Sequence, residues 1–237
     1  MTGLLVSVRD AKEAQQAVSG GADVIDVKEP AHGALGAADP TVWSQVRRAI
    51  PADVPLSVAL GELTDVDIDE RVRCVTAIEY AKVGLAGCLD LAHWQRRWEQ
   101  ILGQLPAETK RVAVAYADHR AARAPNPLEV LRAAPAANCR TLLLDTFKKD
   151  QGDLFEHLDD DQLSHLAREC HAANIALALA GSLRPTSIDH ALSFVPALIA
   201  VRGAACLGDR TGTICQQLVK RLKGRITANL EGDLISH

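Results

Sequence analysis

The 237-residue sequence predicts an α/β fold closed into a single (β/α)8 barrel, and three observations carry that expectation. Short Val-, Ile- and Leu-rich runs recur along the chain, each followed by a longer stretch with helical spacing, which is the pattern of repeated strand–helix units. Eight such units can be counted, the number that closes a parallel sheet on itself. A hydrophobic fraction of 48% with only eight aromatic residues calls for a core of Ala, Val, Leu and Ile, as a layered α/β interior needs.

The first strand is LLVSV at 4–8, and the helix after it, 10–19, opens on the capping residue Asp10. DVIDVK at 23–28 is the second strand; its helix, 41–50, starts behind the Asp39-Pro40 step. PLSVAL at 55–60 precedes a helix at 67–76, and YAKVGL at 80–85 precedes one at 89–104. RVAVAYA at 111–117 is the fifth strand, followed by a helix at 127–137 that the Asn126-Pro127 pair begins. TLLLDT at 141–146 leads to a helix at 160–174, IALALAG at 175–181 to one at 185–193, and ALIAVRG at 197–203 to one at 210–225. The competing fold is a doubly wound open sheet, but no G-x-G-x-x-G follows the first strand, where a dinucleotide-binding fold needs it. No Pro- or Ser-rich linker divides the chain, so residues 1–237 are read as one TIM-type domain, with 225–237 a polar peripheral tail.

A formal net charge of −4 provides no basic stripe for nucleic acid. The longest apolar runs are too short to cross a bilayer, and the opening residues lack a secretory layout, so a cytoplasmic location is expected. Six cysteines occur without a C-x-x-C pair or zinc-like His spacing, which reads as reduced thiols rather than disulfides or a structural metal. The chemistry of such a barrel belongs at the carboxyl ends of its strands.

Strand 2 ends Asp26-Val27-Lys28, and alternation puts Asp26 and Lys28 on one face. In strand 4 the same rule pairs Tyr80 with Lys82, so two lysines converge in one lumen. A buried lysine near another cation loses its proton more readily and becomes an amine able to attack a carbonyl. Either lysine alone could snorkel to the barrel mouth or pair with an aspartate; two lysines with Asp26 and Asp145 at strand ends favour a reactive site. Asp145 closes strand 6 and can orient a lysine, while Lys149 in the following loop can reach a phosphate or move a proton; of the adjacent Lys148 and Lys149, one is expected to be simply solvated. His119, in the polar loop after strand 5, carries little weight. Gly181 and Ser182 after strand 7, with Arg202, Gly203 and Ala204 after strand 8, suit a phosphate held by backbone N–H groups and a guanidinium fork. The glycines and proline of segment 29–36 make it a mobile or shaped loop above the site, either a lid or simply a long turn.

The runs LVS at 5–7, GGADVIDVKEP at 20–30, GALG at 33–36, AKVGL at 81–85, YAD at 116–118, LDT at 144–146, AGSL at 180–183 and RGAAC at 202–206 together resemble the (5-formylfuran-3-yl)methyl phosphate synthase family of the methanofuran pathway. The most specific parts are D-V-K-x-P with G-x-L-G, and V-R-G-A-A-C. The resemblance implies a lyase with no metal or organic cofactor that condenses two molecules of glyceraldehyde 3-phosphate into a furan aldehyde. It also implies Lys28 as the Schiff-base lysine and Lys82 as general acid/base, with Asp26, Asp145 and Lys149 in support. One departure stands out: the alanine that family members place between the Asp and the His of the strand-5 loop is missing at Asp118-His119. Other readings are a different lysine Schiff-base aldolase acting on a phosphorylated sugar, a pyridoxal phosphate-binding barrel, and a catalytically silent scaffold. The expected partner is a small phosphorylated aldehyde; nothing in the sequence decides between a monomer and a homo-oligomer.

Overall fold

In the computed structural model, which describes residues 1–234 and the side chains of 1–228, eight parallel strands hydrogen-bond in chain order and the last closes on the first. The strands are β1 (Gly3–Val8), β2 (Val24–Val27), β3 (Leu56–Glu62), β4 (Tyr80–Gly84), β5 (Lys110–Tyr116), β6 (Cys139–Asp145), β7 (Ala176–Leu179) and β8 (Leu198–Val201). Around them run α1 (Ala11–Ser19), α2 (Pro40–Ala49), α3 (Ile68–Arg73), α4 (Trp94–Gly103), α5 (His119–Ala122), α6 (Pro127–Ala133), α7 (Asp160–Ala172), α8 (Ile188–Leu192) and α9 (Gln216–Leu234). The expected caps are in place. Asp10 accepts from the Glu13 N–H at 2.8 Å, Asp39 from Thr41 at 2.8 Å, and Asn126 forms a reciprocal box with Glu129.

Alternation sorts each strand between two cores. Leu4, Val6 and Val8 of β1, Ile25 and Val27 of β2, and Leu142 and Leu144 of β6 pack outward against the helices, with Trp43 and Trp98. Leu5, Val24, Ala59, Val114, Leu143, Ala178, Ala180 and Ala200 fill the lumen. Towards the carboxyl ends of β7 and β8 the lumen residues are Ala178, Ala180 and Ala200, which occupy little volume and leave the barrel open beside them.

Several boundaries differ from the expectation for physical reasons. β7 and β8 stop short because the chain turns out of the extended region: Gly181 and Ser182 have φ of +91° and +53°, and Gly203 starts a short helical turn. Residues 210–215 are not helical. Cys206 bridges Ile214 and Leu207 N–H donates to Thr213 O at 2.9 Å, so this stretch is a folded-back loop. The helix that follows continues to Leu234, into the segment expected to be a peripheral tail: Ile226 is fully buried and Arg225 pairs with Asp189 at 2.5 Å, which fixes the helix to the barrel there. Burying that side chain contributes about 2 kcal/mol. Residues 235–237 lie outside the described residues. No helix among the described residues is long and apolar enough to cross a membrane.

Candidate active site

At the carboxyl ends of the strands the lumen widens into a cavity of about 380 Å³ lined by Lys28, Lys82, Asp26, Asp145 and Lys149 together with the loops after β7 and β8. Strand register brings the first of these together. Asp26 lies level with Ser7 on one side and Ser57 on the other, and Lys82 is level with Ala59. Lys82 is 2% exposed; its Nζ donates to the Asp26 carboxylate and, at 3.0 Å, to Ser57 Oγ. Ser7 Oγ donates to the other Asp26 oxygen at 3.0 Å. Burial alone would raise the Asp26 pKa, but the charges of Lys82 and Lys28 and these hydrogen bonds hold it below the usual carboxylate range.

Lys28 sits one residue past β2, its backbone N–H donating to Val8 O at 3.0 Å. No carboxylate among the described residues lies within ion-pair distance of its half-buried amine. Burial lowers its pKa to about 8; Asp145 and Asp26 oppose the shift, while Lys149 and Lys82 reinforce it. At pH 7 about a tenth of such amines are neutral, against well under a thousandth of ordinary lysines. Asp145, 1% exposed, is taken instead by Lys149, whose Nζ donates to it at 2.5 Å, and by the Thr146 N–H at 2.8 Å. Burial would raise the Asp145 pKa as well, but attraction to Lys149 and Lys28 keeps it low.

Opposite the lysines, Ser182, Leu183, Gly203 and Ala204 line the cavity, and no hydrogen bond among the described residues uses their backbone N–H groups. Such free donors at glycine turns suit a phosphate. Arg202, read from the sequence as a fork for the anion, lines the cavity but spends its donors on the protein itself. Its five N–H groups are all engaged: Nε with Arg210 O at 2.6 Å, Nη1 with Ser7 O at 2.9 Å and Glu13 at 2.8 Å, and Nη2 with Glu13 at 3.3 Å and Gly212 O at 3.1 Å. It is a buried strut joining β8, α1 and the loop 207–213.

The segment 29–36 is an ordered roof: Glu29 N–H donates to Gly36 O at 2.8 Å, and Ala34 and Leu35 are buried in the lumen core. Lys148 is exposed and lies over the Phe147 ring, as a solvated neighbour should. Asp118 clamps the backbone of Phe147 and Lys148 at 2.7 and 2.8 Å, and His119 lines a separate hollow with His157 and Arg120 rather than the lysine cavity. Sequence reasoning missed Ser7 and Ser57, whose strand phase, shared with Asp26 and Lys82, could have revealed them. It missed Arg210, assigned to a helix, which lines the cavity from the folded-back loop. It also missed the Tyr116–Glu62 hydrogen bond of 2.6 Å, set against Gly84, where an added Cβ would overlap both groups.

Fold and cavity together define a TIM-type barrel with an amine-lined, anion-receptive site at the carboxyl ends of its strands. Solved structures with the same fold include phosphoribosyl anthranilate isomerase from Thermus thermophilus (TM-score 0.67, 12% identity, covering 96% of this chain and 99% of that one). The enzyme from Thermotoga maritima is similar (TM-score 0.68, 14% identity, 96% and 100%). The 4-HFC-P synthase family model matches residues 4–223. Two relatives described as (5-formylfuran-3-yl)methyl phosphate synthase agree with it. The one from Methanococcus maripaludis is 36% identical, covering 92% of this chain and 97% of its own. The one from Methanocaldococcus jannaschii is 34% identical, covering 93% and 97%. The chain belongs to the 4-HFC-P synthase family and is an enzyme of it.

Proposed function

We propose that this chain, working as one cytoplasmic barrel domain, makes (5-formylfuran-3-yl)methyl phosphate from two molecules of glyceraldehyde 3-phosphate for a methanofuran-type cofactor. The atoms balance. Two C3 phosphates yield one C6 furan monophosphate by losing one phosphate and two waters, so the site must form a carbon–carbon bond and then eliminate repeatedly. Lys28 attacks the carbonyl carbon of one aldehyde and expels its oxygen as water, leaving an iminium. The iminium acidifies the neighbouring carbon, and the resulting enamine adds to the second aldehyde. Water returns the amine at the end of the cycle.

Lys82, fixed between Asp26 and Ser57, delivers and removes protons on oxygen, and Asp26 orients it. The Asp145–Lys149 pair beside Lys28 shapes the field around the iminium and relays protons. The N–H groups of Ser182, Gly203 and Ala204 anchor a phosphate, so binding energy away from the reacting carbons positions them. The observation that carries this reading is that Lys28 has no carboxylate partner among the described residues, in a cavity where Lys82 and Lys149 each have one.

The test is product chemistry. Purified protein given glyceraldehyde 3-phosphate alone should produce a conjugated furan aldehyde absorbing in the near ultraviolet, with one phosphate released per furan. An ordinary aldol adduct that retains both phosphates and has no chromophore would identify a different aldolase.

A further inference from the structure

Six cationic side chains line the cavity: Lys28, Lys82, Lys149, Arg184, Arg202 and Arg210. Four are neutralised. Lys82 pairs with Asp26, Lys149 with Asp145, Arg184 with Glu156 at 2.7 Å and Asp153 at 3.3 Å, and Arg202 with Glu13 at 2.8 Å. Lys28 has no carboxylate within ion-pair distance among the described residues, and an amine can shed its proton. Arg210 cannot, because a guanidinium stays charged in any protein setting.

Arg210 is half-buried and makes a single side-chain hydrogen bond, from Nη2 to Gly33 O at 3.2 Å, leaving four N–H groups without a partner among the described residues. Its backbone is held in place. Arg202 donates to its carbonyl at 2.6 Å, Asp209 accepts from Thr211 N–H at 2.7 Å, and the Cys206–Ile214 bridge closes the loop below. The loop lies against the free N–H groups already described: a Cβ on Gly203 would be 3.7 Å from Arg210 Cβ. A partly buried permanent cation beside open amide donors, with no carboxylate among the described residues within ion-pair distance, is built to receive a dianion.

We infer that Arg210 grips the substrate phosphate at the Gly203–Ala204 turn and makes the cavity select phosphorylated over unphosphorylated aldehydes. This rests on the reading of the cavity as the site of a phosphorylated aldehyde. It moves the guanidinium role from Arg202, the strut, to Arg210, the hand.

Two measurements test it on the full-length chain. Inorganic phosphate is titrated calorimetrically into the wild type, Arg210→Met and Arg210→Lys. Borohydride trapping of Lys28 is then compared between glyceraldehyde 3-phosphate and unphosphorylated D-glyceraldehyde. Arg210→Met should weaken phosphate binding by about tenfold or more. The preference for the phosphorylated aldehyde should fall by a similar factor, and Arg210→Lys should recover part of both. Phosphate that binds Arg210→Met as tightly as wild type, or does not bind wild type at all, overturns the inference. Equal loss of both aldehydes in Arg210→Met, with the preference unchanged, overturns it too. If wild type traps neither aldehyde the Schiff-base reading fails, and the phosphate titration still decides the role of Arg210.

Discussion

Lys82 on the fourth strand donates to Asp26 on the second, reaching across Ser57 on the strand between them, and both side chains are almost fully buried. The pair joins three strands of the lumen below Lys28, so its charge balance matters to the fold as well as to the chemistry.

Replacing the carboxylate by its amide isostere should make this visible. Asp26→Asn keeps the shape but leaves the Lys82 ammonium without a counterion, a change that typically costs about 3–5 kcal/mol. Urea unfolding should show that loss, and furan formation should fall by at least about a hundredfold, the usual scale for a lost proton-transfer group. A variant as stable and active as wild type would remove Asp26 and Lys82 from the account.

The amine of Lys28 makes two pH-dependent predictions with one sign. Its pKa is lowered to about 8 in the folded chain, so kcat/KM should rise through that value as the amine becomes neutral, and level off above it. Unfolding restores the ordinary lysine value. Between about 8 and that value the unfolded chain therefore holds more protons than the folded one, and stability rises with pH across the window. Below about 8 both states are protonated and the full penalty of burying the charge remains. Lys28→Met should unfold at a higher temperature than wild type at pH 7, with the gap closing by pH 10. Parallel melting curves at both pH values would contradict the assignment.

Glu13 tests the strut. Burial would raise its pKa, but hydrogen bonds from Arg202 and Arg9 hold it below the usual range, so its stabilisation is present at neutral pH and is lost as pH falls through the carboxylate region. Glu13→Gln should lower stability by about 3 kcal/mol at pH 7 by stranding Arg202. The difference from wild type should shrink below pH 4. Calorimetric unfolding at the two pH values checks both statements.

The barrel and its lysines were legible because strand alternation is a strict rule. Val24, Asp26 and Lys28 share a parity, as do Tyr80 and Lys82, so identifying the strands was enough to aim the side chains inward. The internal bonds of Arg202 were not legible, because spacing locates a residue in a loop without saying which way a long side chain turns. Its partner, Glu13, lies on α1, far away in sequence, and resembles any helix glutamate. Arg210 was hidden for a related reason. A helix was expected over 210–225, but the Cys206–Ile214 bridge and the Asp209 turn fold its first residues back over the cavity. Ile226 shows the same limit: nothing in the mixed composition of the tail says which of its apolar residues the barrel buries.

The central claim concerns a single nitrogen, and borohydride reduction in the presence of glyceraldehyde 3-phosphate, followed by peptide mass spectrometry, tests it most directly. One reduced adduct is expected, on the peptide bearing Lys28, absent in Lys28→Met and diminished when inorganic phosphate competes. An adduct carried by Lys82 or Lys149 with Lys28 unmodified, or no adduct under turnover conditions that yield the furan, would contradict it.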